Sequence, residues 1–452
     1  METQKYSLDM LHGSLWNRIP RFALPVAATA ILEQLFNASD VAVVGNFTGA
    51  KKKTAAVAAV GVNSPIISLI VNLVIGIALG ADVVIAHAVG RGDTLAARKA
   101  VHTSVVLALL GGAVVAVLGE LLAAPLLGLL NVPADVLPMA LLYLRIYLLG
   151  MPVILLYNFE AAIFRSVGET KTPLVALTVS GVLNVLLNLF FVAVLHMTVN
   201  GVVIATVISN GVSSLVLFRK LCRSTREIRL EPRALRMNRE SLKHILRSGL
   251  PAGLQSAVFA VSNIVIQSAI NSLGTAVMVA SSAEFKIEVI TYDILNSYSQ
   301  ACTTLVGQNY GAGNVKRCKR ILGLCLLEGM LTLAAVIVLI LGLGKTLLAL
   351  FNNDPKVVET GFIRLMMVML SHSFSLLYEM MAGYLRGFGI SLAPALLTKL
   401  GVCGIRIGWI RFVFPQSRTF QTLMTAYPVS LAATAAMLLV AVLYFRPSKR
   451  RA

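Results

Sequence analysis

Acidic and amide side chains at helical spacing within apolar stretches are the residues of this sequence able to do chemistry. Glu33, Asn37 and Asp40 fall at i, i+4 and i+7 in LPVAATAILEQLFNASDVAVVG, residues 24–45. On a helix they share one face. About 20 mainly apolar residues cross a bilayer. A carboxylate at that depth costs roughly 2.5–3.5 kcal/mol on insertion scales and is usually turned toward a cavity or a partner. Such a group can exchange a proton or another cation, because desolvation disfavours its bare charged form. The competing reading is that one or both acids lie near a helix end and are simply solvated.

Other apolar stretches carry similar stripes. Ser180, Asn184 and Asn188 recur at i, i+4 and i+8, spaced either to join helices or to hydrogen-bond a protonated carboxyl. Gln255, Asn263, Gln267 and Asn271 form a stripe with no acid. Glu284, Glu288, Tyr292, Asn296 and Gln300 lie at four-residue steps, with Lys286 and Asp293 nearby. Two acids are not buried side by side unpaired. Either Lys286 neutralises one, or a substrate cation does, or the stripe is a solvated helix end. His372, Ser375 and Glu379 follow at i, i+3 and i+7, among Met366, Met367, Met369, Met380 and Met381. Methionine surfaces adapt to varied apolar shapes, although methionine is also ordinary core filler.

The elements that must position these residues are membrane helices. Of 452 residues, 57% are hydrophobic and 13% charged, with mean hydropathy +0.82, against about 25% charged in soluble domains. Hydrophobic blocks predict twelve spans, an all-α membrane protein: about 18–46, 55–88, 99–124, 136–166, 174–195 and 201–222, then 244–271, 276–308, 318–344, 357–388, 393–413 and 421–445. The N-terminus lacks the pattern of a cleaved signal. The net charge of +19 gathers in alternate loops, which excludes a nucleic-acid role and follows the positive-inside pattern. Arg91, Arg98 and Lys99, the 219–243 segment with Arg226 among its cations, the Lys316–Arg320 loop and the tail Lys449, Arg450 and Arg451 lie on one side. Loops 125–135, 196–200 and 272–275 hold no Lys or Arg. Both termini are therefore expected in the cytoplasm and the chain in the cell inner (plasma) membrane; Lys51, Lys52 and Lys53, on the outer side, break the pattern. Cys222, Cys302, Cys318, Cys325 and Cys403 form no CxxC pair and read as free thiols, with neither a metal site nor a disulfide framework.

The chain repeats itself. Tyr157, Arg165, Gly168 and Pro173 recur as Tyr378, Arg386, Gly389 and Pro394, and Gly90-Arg-Gly92-Asp93 as Gly311-Ala-Gly313-Asn314, all displaced by 221 residues. Leu24-Pro25 recurs as Leu250-Pro251. Several elements in order at one displacement identify a duplication. Six spans per half predict two parallel bundles, residues 1–222 and 244–452, related by a pseudo-twofold axis along the membrane normal with a cleft between them. Residues 223–243 form a basic linker, read as a topology determinant that can touch anionic lipid.

No GxxxxGK[ST], HExxH or GxSxG motif occurs, so no enzyme activity and no bound cofactor are expected. The chain instead resembles the multidrug and toxin extrusion (MATE) transporters over nearly its whole length. The resemblance rests on Leu24-Pro25, Asn37, Asp40 and Val44-Gly45, on the VGRGD and NYGAGN turns, on RSVGETKTP and RGFGISLAP, and on Tyr427-Pro428. It implies a monomeric two-lobed exporter that expels amphipathic, often cationic, small molecules in exchange for inward H⁺ or Na⁺, the only cofactor being the coupling ion. It implies Asp40 as the coupling carboxylate, with Asn37, Asn184, Asn188 and Glu33 around it. One proton-linked branch carries a second acid in the fifth helix, where this chain has Asn184 and Asn188; the sodium-linked branch uses a seventh-helix acid that this chain lacks. Gln255, Glu284, Glu288, Tyr292, Asn296 and Glu379 are the candidate substrate contacts, and Pro25 and Pro251 the candidate hinges, since proline removes a helix N–H. A lipid-linked precursor flippase of related architecture is the alternative; a non-transporting sensor or scaffold has no motif in its favour.

Overall fold

The computed structural model describes residues 8–130, 132–224, 227–352 and 354–447. Arg226, Lys449, Arg450 and Arg451, which entered the charge reading, lie outside the described residues. Those described residues form helices and turns without a strand. In the first half run α1 (Arg18–Phe47), α2 (Ala50–Gly90), α3 (Thr94–Leu129), α4 (Leu137–Leu149), α5 (Met151–Ser166), α6 (Lys171–Leu189) and α7 (Val199–Cys222). The second half holds α8 (Arg239–Asn271), α9 (Thr275–Gly311), α10 (Val315–Ala349), α11 (Pro355–Gly387), α12 (Leu392–Thr398), α13 (Ile405–Gly408), α14 (Phe420–Met424) and α15 (Ala426–Phe445).

Each predicted span is helical. Among the described residues nine helices are long and apolar enough to cross a membrane, or ten when α4 and α5, bent by 50° about Gly150, count as one. The two predicted spans outside that count have physical reasons to be. α9 carries Glu284, Lys286, Glu288 and Asp293 in its length. The eleventh span is broken: α13 lies between π-helical turns Lys399–Gly404 and Trp409–Val413. Gly401, Gly404 and Gly408 fall in this stretch, each about 1 kcal/mol less favourable than alanine in a regular helix. α2 begins at Ala50, so Lys51, Lys52 and Lys53 fall in its first turn and not in the loop expected from the sequence.

The repeat is visible in the backbone. Gly92 and Gly313 (φ 72° and 74°) and Gly168 and Gly389 (φ 79° and 78°) adopt the same left-handed conformation, which only glycine enters without strain. The closing hydrogen bonds match as well: Gly168 N–H donates to Arg165 O and Gly389 N–H to Arg386 O, both at 2.8 Å. These are helix-ending turns that satisfy the last carbonyls.

The chain divides into two compact units, one built on Ala28–Leu246, the other on Asp9–Ala27 with Arg247–Ala452. The division falls inside α1 and inside α8, three and four residues from Pro25 and Pro251 respectively. Within the second unit, Asn309 Nδ2 donates to Met10 O at 3.0 Å and Arg317 Nη2 to Gly13 O at 2.9 Å, which ties the segment before α1 to α9 and α10. The first unit has a continuous apolar core around Tyr143, Leu144, Leu148, Phe159 and Phe164. In the second unit buried apolar residues form separate clusters, and a polar network occupies the same helices. Leu121 on α3, Val338 on α10 and Val440 on α15 are at least 65% exposed; an apolar exterior of this kind suits hydrocarbon, where helix backbones satisfy themselves.

Candidate functional site

In the first unit, Asp40 on α1 is 5% exposed. Asn188 on α6 donates Nδ2 to Asp40 Oδ1 at 2.6 Å and to Asn184 Oδ1 at 3.1 Å. Thr206 on α7 donates its hydroxyl to Asp40 Oδ2 at 3.1 Å, and Asn184 Nδ2 donates back to Thr206 Oγ1 at 3.4 Å. Four side chains from three helices thus close a ring around one carboxylate. Asn188 Oδ1 is buried and accepts no hydrogen bond among the described residues. No Lys, Arg or His comes within ion-pair distance of Asp40 among them. An ionised carboxylate buried without a counter-charge is held at a cost of several kcal/mol.

The local sequence explains the close approach. Ser180, Asn184 and Asn188 put the buried polar face of α6 in line, and Ser213 of α7 hydrogen-bonds Ser180. Gly181, one residue on, faces the Phe36 ring so closely that a Cβ there would overlap it. Glycine at 181 therefore sets how near α1 comes to α6, and with it the Asp40–Asn188 distance. Helix contacts in a bilayer depend on such small residues, since water exclusion does not drive them.

The other first-helix candidates are not gathered at this ring. Asn37 is exposed and Glu33 half-buried. At 100° per residue Asn37 and Asp40 point about 60° apart on the helix, enough to separate an outward from an inward side chain. Thr206 was missed from the sequence; its only signal was a polar pair with Asn210 at i+4, and its single hydroxyl proton is shared between Asp40 Oδ2 and its own helix at Val202 O, 3.0 Å away.

In the second unit, Glu284 is fully buried and paired with Arg364 of α11 at 2.5 Å; Glu288 meets the same guanidinium at 3.3 Å. Of the readings left open by the sequence, an ion pair is the one seen, but its cation is Arg364 and not Lys286. Lys286 is exposed and lies over the Phe351 ring, 5.4 Å from its centroid; a two-residue step turns it about 160° from Glu284 and from Glu288 alike. Arg364 also donates to Tyr427 OH at 3.4 Å. A second cluster joins Tyr292, which donates to Glu379 Oε1 at 2.9 Å, with Arg386, which meets Glu379 Oε2 at 3.3 Å and Ser299 Oγ at 3.0 Å. His372 contacts Ser375 at 3.3 Å. Of the remaining candidates Gln255 is buried and Asn296 half-buried, and neither joins these clusters. Met369, Met380 and Met381 are buried as core while Met366 is exposed. α1 and α8 run unbroken through Pro25 and Pro251.

The chain as a whole is similar to known proteins. The family model described as MatE matches residues 25–190 and 251–410. The chain is 27% identical over 400 residues, 88% of each chain, to a probable multidrug resistance protein YpnP of Bacillus subtilis. It is 25% identical to a probable multidrug resistance protein NorM of Thermotoga maritima, covering 86% of this chain and 83% of that one. A solved structure described as the outward-facing conformation of a multidrug resistance MATE family transporter of the MOP superfamily aligns with TM-score 0.89 over 98% of both chains. Its 21% identity makes that a likeness of fold. The lipid-linked precursor flippase weighed from the sequence is not favoured by these relationships.

Proposed function

Because this chain belongs to the MatE family of multidrug efflux transporters, we propose that it is a secondary antiporter of the cell membrane that exports amphipathic compounds, cationic ones included, against a cation taken up at Asp40. The observation that carries the reading is Asp40 itself: buried, held by two hydrogen bonds and facing no basic side chain among the described residues. That arrangement makes the occupancy of one carboxylate the variable of the cycle.

The ring has two ways to be satisfied. With Asp40 ionised, Asn188 Nδ2 and the Thr206 hydroxyl both donate to it. With Asp40 protonated, the acid becomes a donor and needs an acceptor. Asn188 Oδ1, buried and unengaged among the described residues, becomes that acceptor if the amide turns over. Proton uptake then exchanges one hydrogen-bond pattern between α1, α6 and α7 for another. Coupling requires only that the two patterns favour different conformations. Na⁺ is the second reading, favoured by the oxygens of Asp40, Asn184 and Thr206 drawn to one place.

The test is dye efflux from vesicles holding the purified chain, with pH and Na⁺ gradients imposed separately. A proton antiporter responds to the pH gradient alone, and Asp40→Asn abolishes that response while the protein stays folded. Full gradient-driven efflux by Asp40→Asn would remove the carboxylate from the mechanism.

A further inference from the structure

Arg406 is the reverse of Asp40. It lies on α13 in the second unit and is 5% exposed. Its Nε donates to Ser430 Oγ at 3.0 Å, and its guanidinium carbon stands 4.2 Å from the centroid of the Tyr427 ring. No carboxylate comes within ion-pair distance of it among the described residues. The acids that share the Tyr427 neighbourhood, Glu284 and Glu288, are both held by Arg364, whose own guanidinium carbon lies 5.8 Å from the same ring centroid. One ring is thus flanked by two guanidinium groups, of which one has its acids and the other has none.

A buried cation without a counter-charge is as costly as a buried lone carboxylate, and arginine stays charged at any physiological pH. Its fork of donors matches carboxylate and phosphate. Only one donor of that fork has a hydrogen-bond partner among the described residues. The backbone carrying Arg406 is also irregular, a single α turn held between two π-helical turns, and such turns within helices are frequent at functional sites. The charge, its desolvation and the local backbone agree.

We propose that Arg406, with Tyr427 and Ser430, forms an anion subsite in the second unit that receives a carboxylate or phosphate group of an amphipathic molecule. The proposal rests on the exporter reading and extends its substrates beyond simple cations to acid-bearing and zwitterionic amphipaths. The guanidinium takes the anionic group, and the Tyr427 ring supports the guanidinium from one side.

The experiment measures equilibrium binding to the purified full chain in detergent of two xanthene dyes that differ only in a free carboxylate or its ethyl ester. The expected result is that the ratio of carboxylate to ester affinity falls roughly tenfold to a hundredfold in Arg406→Gln, the loss of one charge-assisted interaction. Arg406→Lys keeps the charge and restores part of the ratio. Asp40→Asn leaves the ratio at its wild-type value even where it stops efflux, so failure of the coupling mechanism and failure of the subsite are separately visible. Competition by short-chain phosphatidylglycerol, but not by phosphatidylcholine of the same chain length, would mark a lipid as one source of the anion; competition by inorganic phosphate would mark a free one. An unchanged ratio in Arg406→Gln overturns the proposal. So does a variant that loses thermal stability with no change in dye selectivity, which would make Arg406 a fixed counter-charge for the Glu284–Arg364–Glu288 cluster. If Arg406→Gln does not fold, the wild-type chain decides: equal affinity for the carboxylate and ester dyes, with no competition by either phosphate form, overturns the subsite.

Discussion

Asn188 joins Asp40 and Asn184 through one amide nitrogen, 2.6 Å from the carboxylate and 3.1 Å from the neighbouring amide oxygen. The amide is thus both the donor to the charged acid and the only group in the ring with an idle buried oxygen. Asn188→Leu removes both roles at similar size. Gradient-driven efflux in vesicles is expected to drop by tenfold or more, since an ionised group that loses a buried hydrogen bond loses roughly 1.5–3 kcal/mol. Wild-type rates in that variant would mean the ring takes no part in coupling.

Thr206 holds the other carboxylate oxygen. Thr206→Val keeps the shape and deletes the hydroxyl, with an expected several-fold fall in efflux rate. Combined with Asn188→Leu the losses are expected to be non-additive, as for residues sharing one network. Strict additivity in the double-mutant cycle would count against a closed ring.

Gly181 controls the α1–α6 approach through Phe36. Gly181→Ala is expected to destabilise the protein by about 1–3 kcal/mol through overpacking and to weaken coupling as the Asp40–Asn188 bond lengthens. Phe36→Leu in the same chain returns space and part of the stability. Thermal unfolding in detergent measures both; an indifferent Gly181→Ala protein would mean the helices separate without cost.

Arg364 and Lys286 separate the observed ion pairing from the Lys286 pairing that was one alternative in the sequence. Arg364→Met strands Glu284 and Glu288 and is expected to cost about 3–5 kcal/mol, partly recovered by adding Glu284→Gln. Lys286→Met, at an exposed position, is expected to stay within about 0.5 kcal/mol of wild type. Equal thermal shifts for the two variants would contradict the pairing.

Much of this was written in the sequence at short range. Ser180, Asn184 and Asn188 share a face by spacing alone, and a carboxylate inside an apolar stretch announces Asp40. The duplicated turns announced themselves too, since Gly92, Gly168, Gly313 and Gly389 are required by left-handed backbone. What spacing cannot supply is which face of one helix meets which face of another. Thr206 reaches Asp40 from 166 residues away, and Arg364 reaches Glu288 from 76. A threonine in a helix also has its own carbonyl to bond, as Thr206 does, so its type carries no sign of a second partner. Asn37 shows the converse: it shares a stripe with Asp40 by spacing, yet it is exposed where Asp40 is buried. Breaks such as the π turns around α13 depend on tertiary packing against α15, which local composition only hints at through its glycines.

The cysteines have a practical meaning for studying the motion. None of the five is in a disulfide, and four of them are buried, with only Cys222 partly accessible. A thiol introduced on an outer loop would therefore meet little competition from native ones. Spin or fluorescent probes could report distances during turnover after a single background change at Cys222, without first rebuilding the interior.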